Sequence, residues 1–191
     1  MYNFYAYLSR MKYIERWSLM KSTQRENIME HSEQVAQLAH ALAVIANKIY
    51  GKNVDINLCS TLALFHETSE VITGDLPTPI KYYNPQIKAS YKEIESIANN
   101  KLLSMLPDEF KEEYNKIIEP DKASYEYKLV KIADKLSAYV KCLEELKVGN
   151  KEFLKAEKTI RGELDSSESL ELQYFMKYFL PGFSKTLDEL D

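Results

Sequence analysis

Little in this chain punctuates or cross-links it: of 191 residues, two are cysteine, five glycine, six proline and one tryptophan. Cys59 and Cys142 show neither CxxC nor CxxH spacing, so neither a disulfide framework nor a zinc knuckle is expected, and a reducing cytoplasm is the expected compartment. The sequence has no run of 18 apolar residues, which argues against a membrane-spanning helix. The opening segment MYNFYAYLSRMKYIERW carries charge too early and too often for a signal peptide, so no membrane partner is expected. A block of one charge sign is also missing, because 25 Lys and Arg residues are interleaved with 29 Asp and Glu residues for a net charge of -4. Without a basic stripe, polymeric nucleic acid is not an expected partner. Scarce glycine and proline exclude collagen-like and low-complexity chains.

What is present is apolar material at helical spacing. Hydrophobic residues make up 45% of the chain, enough for one core, and the length suits a single domain over 1–191. The period is helical nearly throughout, with no convincing alternating segment, which predicts an all-α fold. A short helix is expected over 2–14, then a polar connection, then a long helix over 30–50. There Val35, Leu38, Leu42, Ile45 and Ile49 recur every three or four residues, and Gly51 stops the run. The next helix is expected over 56–73, apolar on most sides and closed by Gly74. After the loop GDLPTP at 74–79, helices are expected over 85–105, 107–118, 124–148, 151–164 and 169–180.

Several residues invite a metal. His31 lies four residues before Val35 and seven before Leu38, on the inward face of its helix, whereas His40 points the other way. Alone, an inward histidine is more often a satisfied core residue than a ligand. His66 and Glu67 stand together in an apolar setting, where adjacent ionisable groups are costly unless paired or metal-bound. Glu70 follows one turn later, within reach of both. Asp134 borders the apolar face of the helix KLVKIADKLSAYVKCLEEL, and pairing with Lys131 or Lys135 is its ordinary reading. Two imidazoles and two carboxylates suit Mn²⁺, Co²⁺, Zn²⁺ or Fe²⁺ better than Ca²⁺. HETSE at 66–70 lacks the second histidine of the zincin pattern, and no histidine has the Glu-x-x-His partner of di-iron bundles. Arg16 and Trp17 read ordinarily as a surface cation beside a core tryptophan. Tyr174, Phe175, Tyr178 and Phe179 form an apolar stripe suited to the core or to a dimer contact.

The segments RW at 16–17, EHS at 30–32, HETSEVITGDLPTPIKYY at 66–83, KIADKLSAYVKCLEEL around Asp134 and YFMKYFLPGF near the end resemble the HD-domain phosphohydrolases. Within that family they resemble the bacterial 5′-deoxynucleotidases of the YfbR type, and the likeness covers almost the whole chain. The resemblance implies an HD-domain helical bundle and a homodimer. It also implies removal of phosphate from deoxyribonucleoside 5′-monophosphates with one divalent metal such as Co or Mn. By position, it implies His31, His66, Glu67 and Asp134 as ligands, Glu70 as the catalytic carboxylate, and Arg16 as the group that orients the phosphate. Trp17 and the loop residues Asp75, Leu76, Pro77 and Thr78 would shape the sugar pocket, with His31, Glu67 and Asp134 also facing the substrate. Where the family has aspartate this chain has Glu67, whose longer side chain must reach the metal by another rotamer or a shifted backbone. A nucleotide-binding homologue with weakened catalysis is the alternative that this substitution leaves open.

Overall fold

In the computed structural model, which describes residues 1–77, 80 and 83–190, the chain is helical and the described residues contain no strand beyond one isolated bridge. The helices are α1 (Phe4–Leu8), α2 (Ile28–Tyr50), α3 (Ile56–Phe65), α4 (Glu70–Thr73), α5 (Pro85–Leu103), α6 (Asp108–Ile118), α7 (Tyr125–Lys147), α8 (Leu154–Asp165) and α9 (Leu170–Tyr178). No helix is long and apolar enough to cross a membrane, among the described residues.

Most helix limits follow local chemistry. The Asn27 side chain accepts from the amides of Met29 and Glu30, both at 3.0 Å, and Glu30 Oε2 accepts from the Asn27 amide at 3.2 Å. This reciprocal cap satisfies donors that would otherwise be orphaned at the start of α2. At its other end Gly51 adopts φ 65, a left-handed conformation that costs a glycine nothing. Asp55, Asn84, Ser124 and Ser169 cap the starts of α3, α5, α7 and α9, each by accepting one backbone amide with the side chain.

Three departures from the sequence expectations matter. The expected helix over 2–14 divides into α1 and a 3-10 turn, Met11–Tyr13. The helix expected over 56–73 stops at Phe65, and residues 66–69 form tight turns before α4 begins. There Thr68, Glu70 and Val71 donate to the carbonyls three residues back, and Thr68 Oγ1 caps the Phe65 carbonyl at 2.6 Å. Apolar spacing continues past this break into Val71 and Ile72, so nothing in the pattern marks it. Finally, the interior consists of a main cluster and a smaller one. The main cluster joins α2, α3, α7 and α9, and the smaller gathers Phe4, Leu102, Leu103, Leu106 and Ile118, with Ile117 packing against both.

Within the main cluster α2 packs against α3 and α7, and α3 also meets α7. Val35, Leu42, Ala133 and Leu136 are all fully buried there, whereas Ile49, near the end of α2, is half exposed. Of the C-terminal aromatic stripe, Phe175 belongs to the core and Tyr174 packs against it, while Tyr178 and Phe179 remain exposed.

Candidate metal centre

Three elements meet at one point: the first turn of α2, the turn after α3 and the middle of α7. They bring His31, His66, Glu67 and Asp134 together, each with one ligand atom within 4.8 Å of all the others. His31 is completely buried, and His40 is exposed as its helical phase requires.

Each ligand candidate is held from behind. His66 is the last residue of the α3 spiral, and its Nδ1–H donates to the Ala63 carbonyl at 2.6 Å. That bond leaves Nε2 inward, buried and without a hydrogen-bond partner. Glu67 Oε1 lies 3.2 Å and Asp134 Oδ1 3.8 Å from Nε2, near enough for ionic attraction. A backbone carbonyl that fixes the tautomer and an orphaned nitrogen facing two carboxylates are what a metal-binding imidazole requires. His31 Nε2 lies 3.2 Å from Asp134 Oδ1, while its Nδ1 accepts from Arg16 Nη1 at 2.8 Å and lies 3.1 Å from Ser137 Oγ. Asp134 uses its second oxygen to bind Lys131 Nζ, at 2.5 Å. The intrahelical pair and the convergent site are therefore one arrangement, with an oxygen for each.

Burial and charge pull in opposite directions here. Burial opposes charging of His66, but Glu67 and Asp134 outweigh it and raise its pKa to about 9. Burial, joined by the Arg16 guanidinium, lowers the pKa of His31, which keeps that ring neutral and competent as a ligand. Burial alone would raise Asp134 and Glu67. Lys131 with the two histidines holds Asp134 well below the usual carboxylate range, and His66 does the same for Glu67. Arg16 faces Glu26, Asp134, Glu67 and Asp75. With Lys131 and the protonated His66 as the other cations, four carboxylates leave an excess of one negative charge, which grows when a metal displaces the His66 proton. Such a pocket attracts a divalent cation and repels phosphate until it holds one.

The remaining expected residues sort clearly. Glu70 is buried at the start of α4, three residues after Glu67, and acts on the Glu67 carboxylate from there. Arg16 reaches the cluster through His31. Trp17 lies alongside: its Nε1–H donates to Glu26 Oε2 at 3.0 Å, the oxygen that also accepts from Arg16 Nη1 at 2.8 Å. Trp17 has φ 60, an uncommon, strained conformation for a bulky residue. Asp75 acts on Arg16 through its charge, Leu76 and Pro77 follow half-buried, and Thr78 lies outside the described residues. Sequence reasoning missed Glu26, one acid in a polar connection, and Ser137, whose spacing of three from Asp134 was the available signal. Glu67 leaves the turn at 66–69 and not a regular helix, and its carboxylate still lies within 4.8 Å of the other three ligand atoms.

The family model for 5′-deoxynucleotidase YfbR-like proteins matches residues 3–183. A 5′-deoxynucleotidase of Shewanella oneidensis is 48% identical over 192 aligned residues, covering 100% of this chain and 98% of its own. The 5′-deoxynucleotidase YfbR of Escherichia coli is 50% identical over 189, covering 98% of this chain and 95% of its own. Among solved structures, an HD-domain phosphohydrolase from Listeria innocua superposes with TM-score 0.84 at 24% identity, over 95% of this chain and 88% of that one. The HD phosphohydrolase DatZ of cyanophage S-2L, bound to dA and one catalytic Zn²⁺ ion, superposes with TM-score 0.65 at 25% identity, over 95% and 96% of the two chains. An all-helical fold of this kind, a buried His, His, Glu and Asp cluster and relatives of about half identity along the full length agree: the chain belongs to the YfbR-like 5′-deoxynucleotidase family of HD phosphohydrolases.

Proposed function

We propose that the protein hydrolyses deoxyribonucleoside 5′-monophosphates to deoxyribonucleoside and phosphate, with one divalent metal held by His31, His66, Glu67 and Asp134. The observation that carries this reading is the convergence of four ligand atoms around the orphaned Nε2 of His66. Hydrolysis of phosphate monoesters is among the slowest uncatalysed reactions, and a lone acid or base supplies only about 10²- to 10⁴-fold. A divalent metal in this site would supply the rest by lowering the pKa of a bound water toward about 7 and gripping a phosphate oxygen. The donor set favours Mn²⁺, Co²⁺ or another transition metal over Ca²⁺.

The chain's own groups divide the remaining work. If His31 ligates through Nε2, its ring proton sits on Nδ1, where Ser137 Oγ, 3.1 Å away, can accept it. Arg16 then no longer donates to that nitrogen, and its planar fork is free to hold two phosphate oxygens. Glu70 holds or accepts the proton that attacking water gives up. Trp17 and the loop residues Asp75, Leu76 and Pro77 wall the sugar pocket.

Glu67 does not argue for a binding-only homologue, because its carboxylate lies within reach of the other three donors. The chain is further proposed to act as a cytoplasmic homodimer, a reading supported by buried, unbridged Cys59 and Cys142 and by the exposed Ile94, Ile97 and Phe110. Sedimentation equilibrium at twice the chain mass is the expected result. The activity is tested with a panel of deoxynucleoside and ribonucleoside monophosphates in Mn²⁺, Co²⁺ or Zn²⁺. Phosphate release from the deoxy substrates is expected, and folded protein that releases none with any of these metals would sink the proposal.

A further inference from the structure

Away from the metal ligands, α7 carries a second buried polar cluster on the same face. Asp134, Ser137, Lys141 and Glu145 follow at spacings of three and four, so one stripe of the helix runs from the metal centre to this cluster. Lys141 is 4% exposed and Glu145 1% exposed, and their side chains pair at 2.6 Å. Such a pair is expensive to bury and contributes little to stability compared with apolar packing, which leaves its presence to be explained.

Its remaining bonds supply the explanation. Glu145 accepts from the Thr23 amide at 2.9 Å, the Thr23 hydroxyl at 2.7 Å and the Gln24 amide at 3.3 Å. Lys141 donates to the Gln24 carbonyl at 2.6 Å. Asn150 donates to Glu145 at 2.7 Å and to the Lys21 carbonyl at 2.8 Å. Apart from the Glu152 amide, which donates to Asn150 Oδ1 at 3.2 Å, every hydrogen-bond partner of these side chains beyond the trio itself lies in the segment 21–24. That segment connects the two residues that share a bond across it, Trp17 and Glu26, and Glu26 also holds Arg16. The Trp17 ring rests on Phe153, 5.3 Å between centroids, and the Lys141 ammonium lies 6.0 Å from the same ring. The backbone strain at Trp17 needs an anchor of this kind to persist.

We propose that the Lys141–Glu145 pair is a positioning device: it clamps the 21–24 segment to the helix that carries Asp134 and thereby sets Arg16 and Trp17 at a fixed distance from the metal ligands. Neither residue touches substrate. All five groups bonded to Glu145 are donors, so Glu145→Gln, nearly the same shape, must turn an amide N–H against one of them. Thr23→Val removes a single hydroxyl and keeps the volume.

Arg16 and Trp17 face substrate only on the nucleotidase reading, so the test also includes a readout that needs no turnover. Trp17 is the sole tryptophan, and its emission reports on the clamped segment alone. In both variants Trp17 should shift its emission and become more open to acrylamide quenching. The kcat/KM for a deoxynucleoside monophosphate should fall by up to about 10²-fold through KM, with kcat and metal affinity little changed. If Glu145→Gln does not fold, Thr23→Val decides by the same readouts. Folded variants with unchanged Trp17 emission and KM, or with metal affinity lost in parallel, would overturn the clamp. Wild-type protein without phosphatase activity would instead overturn the nucleotidase reading, leaving the fluorescence test of the clamp standing.

Discussion

A single bond, His66 Nδ1–H to the Ala63 carbonyl, determines which face of the ring meets the carboxylates, and two predictions follow at this scale. The first concerns pH. In the metal-free protein His66 keeps its proton up to about 9, whereas the unfolded chain loses it near the ordinary 6.5. Over that interval the native state binds more protons than the unfolded one, so stability is full below 6.5 and is lost as pH rises toward about 9. Glu67 and Asp134, both held low, act oppositely and withdraw stability as pH falls below their ordinary values of 4.5 and 3.8. His31, whose pKa is lowered, withdraws stability below 6.5. Melting temperatures of metal-free protein should therefore decline from about 6.5 toward alkaline buffer, and Co²⁺ should raise them most at the alkaline end, since the metal must displace the His66 proton. Second, Glu70→Gln keeps the shape but cannot carry a proton, so kcat should drop by about 10²- to 10⁴-fold while Co²⁺ affinity, followed by its visible absorption, is nearly retained. At this scale His31, His66, Glu67, Glu70 and Asp134 were legible, because ionisable groups on apolar faces stand out. Glu26 was not, since an acid in a polar connection has no reason to be noticed until its partners are in place.

Helices position these residues through their ends. His31 sits in the first turn of α2, directly behind the Asn27 cap, so helix start and ligand position are coupled. Asn27→Ala should cost about 1 kcal/mol, or roughly 2–4 °C in melting temperature for a chain of this size. It should also weaken metal binding measured by calorimetry, whereas removal of the Asn84 cap of α5, a helix that carries none of the four candidate ligands, should lower stability alone. Caps and stops are local chemistry, and accordingly the limits of α2, α5, α6, α7 and α9 agree with the sequence within about two residues. The turn at 66–69 is different. No glycine or proline stands there, apolar spacing runs on through Val71 and Ile72, and the turn is instead closed by side-chain bonds from His66 and Thr68 to the Ala63 and Phe65 carbonyls.

For the molecule as a whole, the candidate centre is a junction. His31 and Asp134 are 103 residues apart in sequence, and a metal between them would tie α2, the turn after α3 and α7 together. Chelation should therefore lower the melting temperature of the loaded protein, by about 2.7 kcal/mol of stability for metal held at 100 times its dissociation constant, and re-addition of Mn²⁺ or Co²⁺ should restore it. Scanning calorimetry before and after treatment with a chelator checks this. The sequence by itself determined the helical class, most helix limits, the inward faces of α2 and α7 and the residue types able to hold a metal, because periodicity, caps and the cost of burying charge are local or statistical properties of the chain. Tertiary structure alone decided that the long apolar pattern breaks at His66, that Asp134 serves Lys131 and the histidines together, that Glu26 joins Arg16 to Trp17, and that the interior divides into two clusters. Each of these depends on groups distant in sequence satisfying one another's charge or hydrogen-bonding capacity, and that complementarity exists only once the chain has folded.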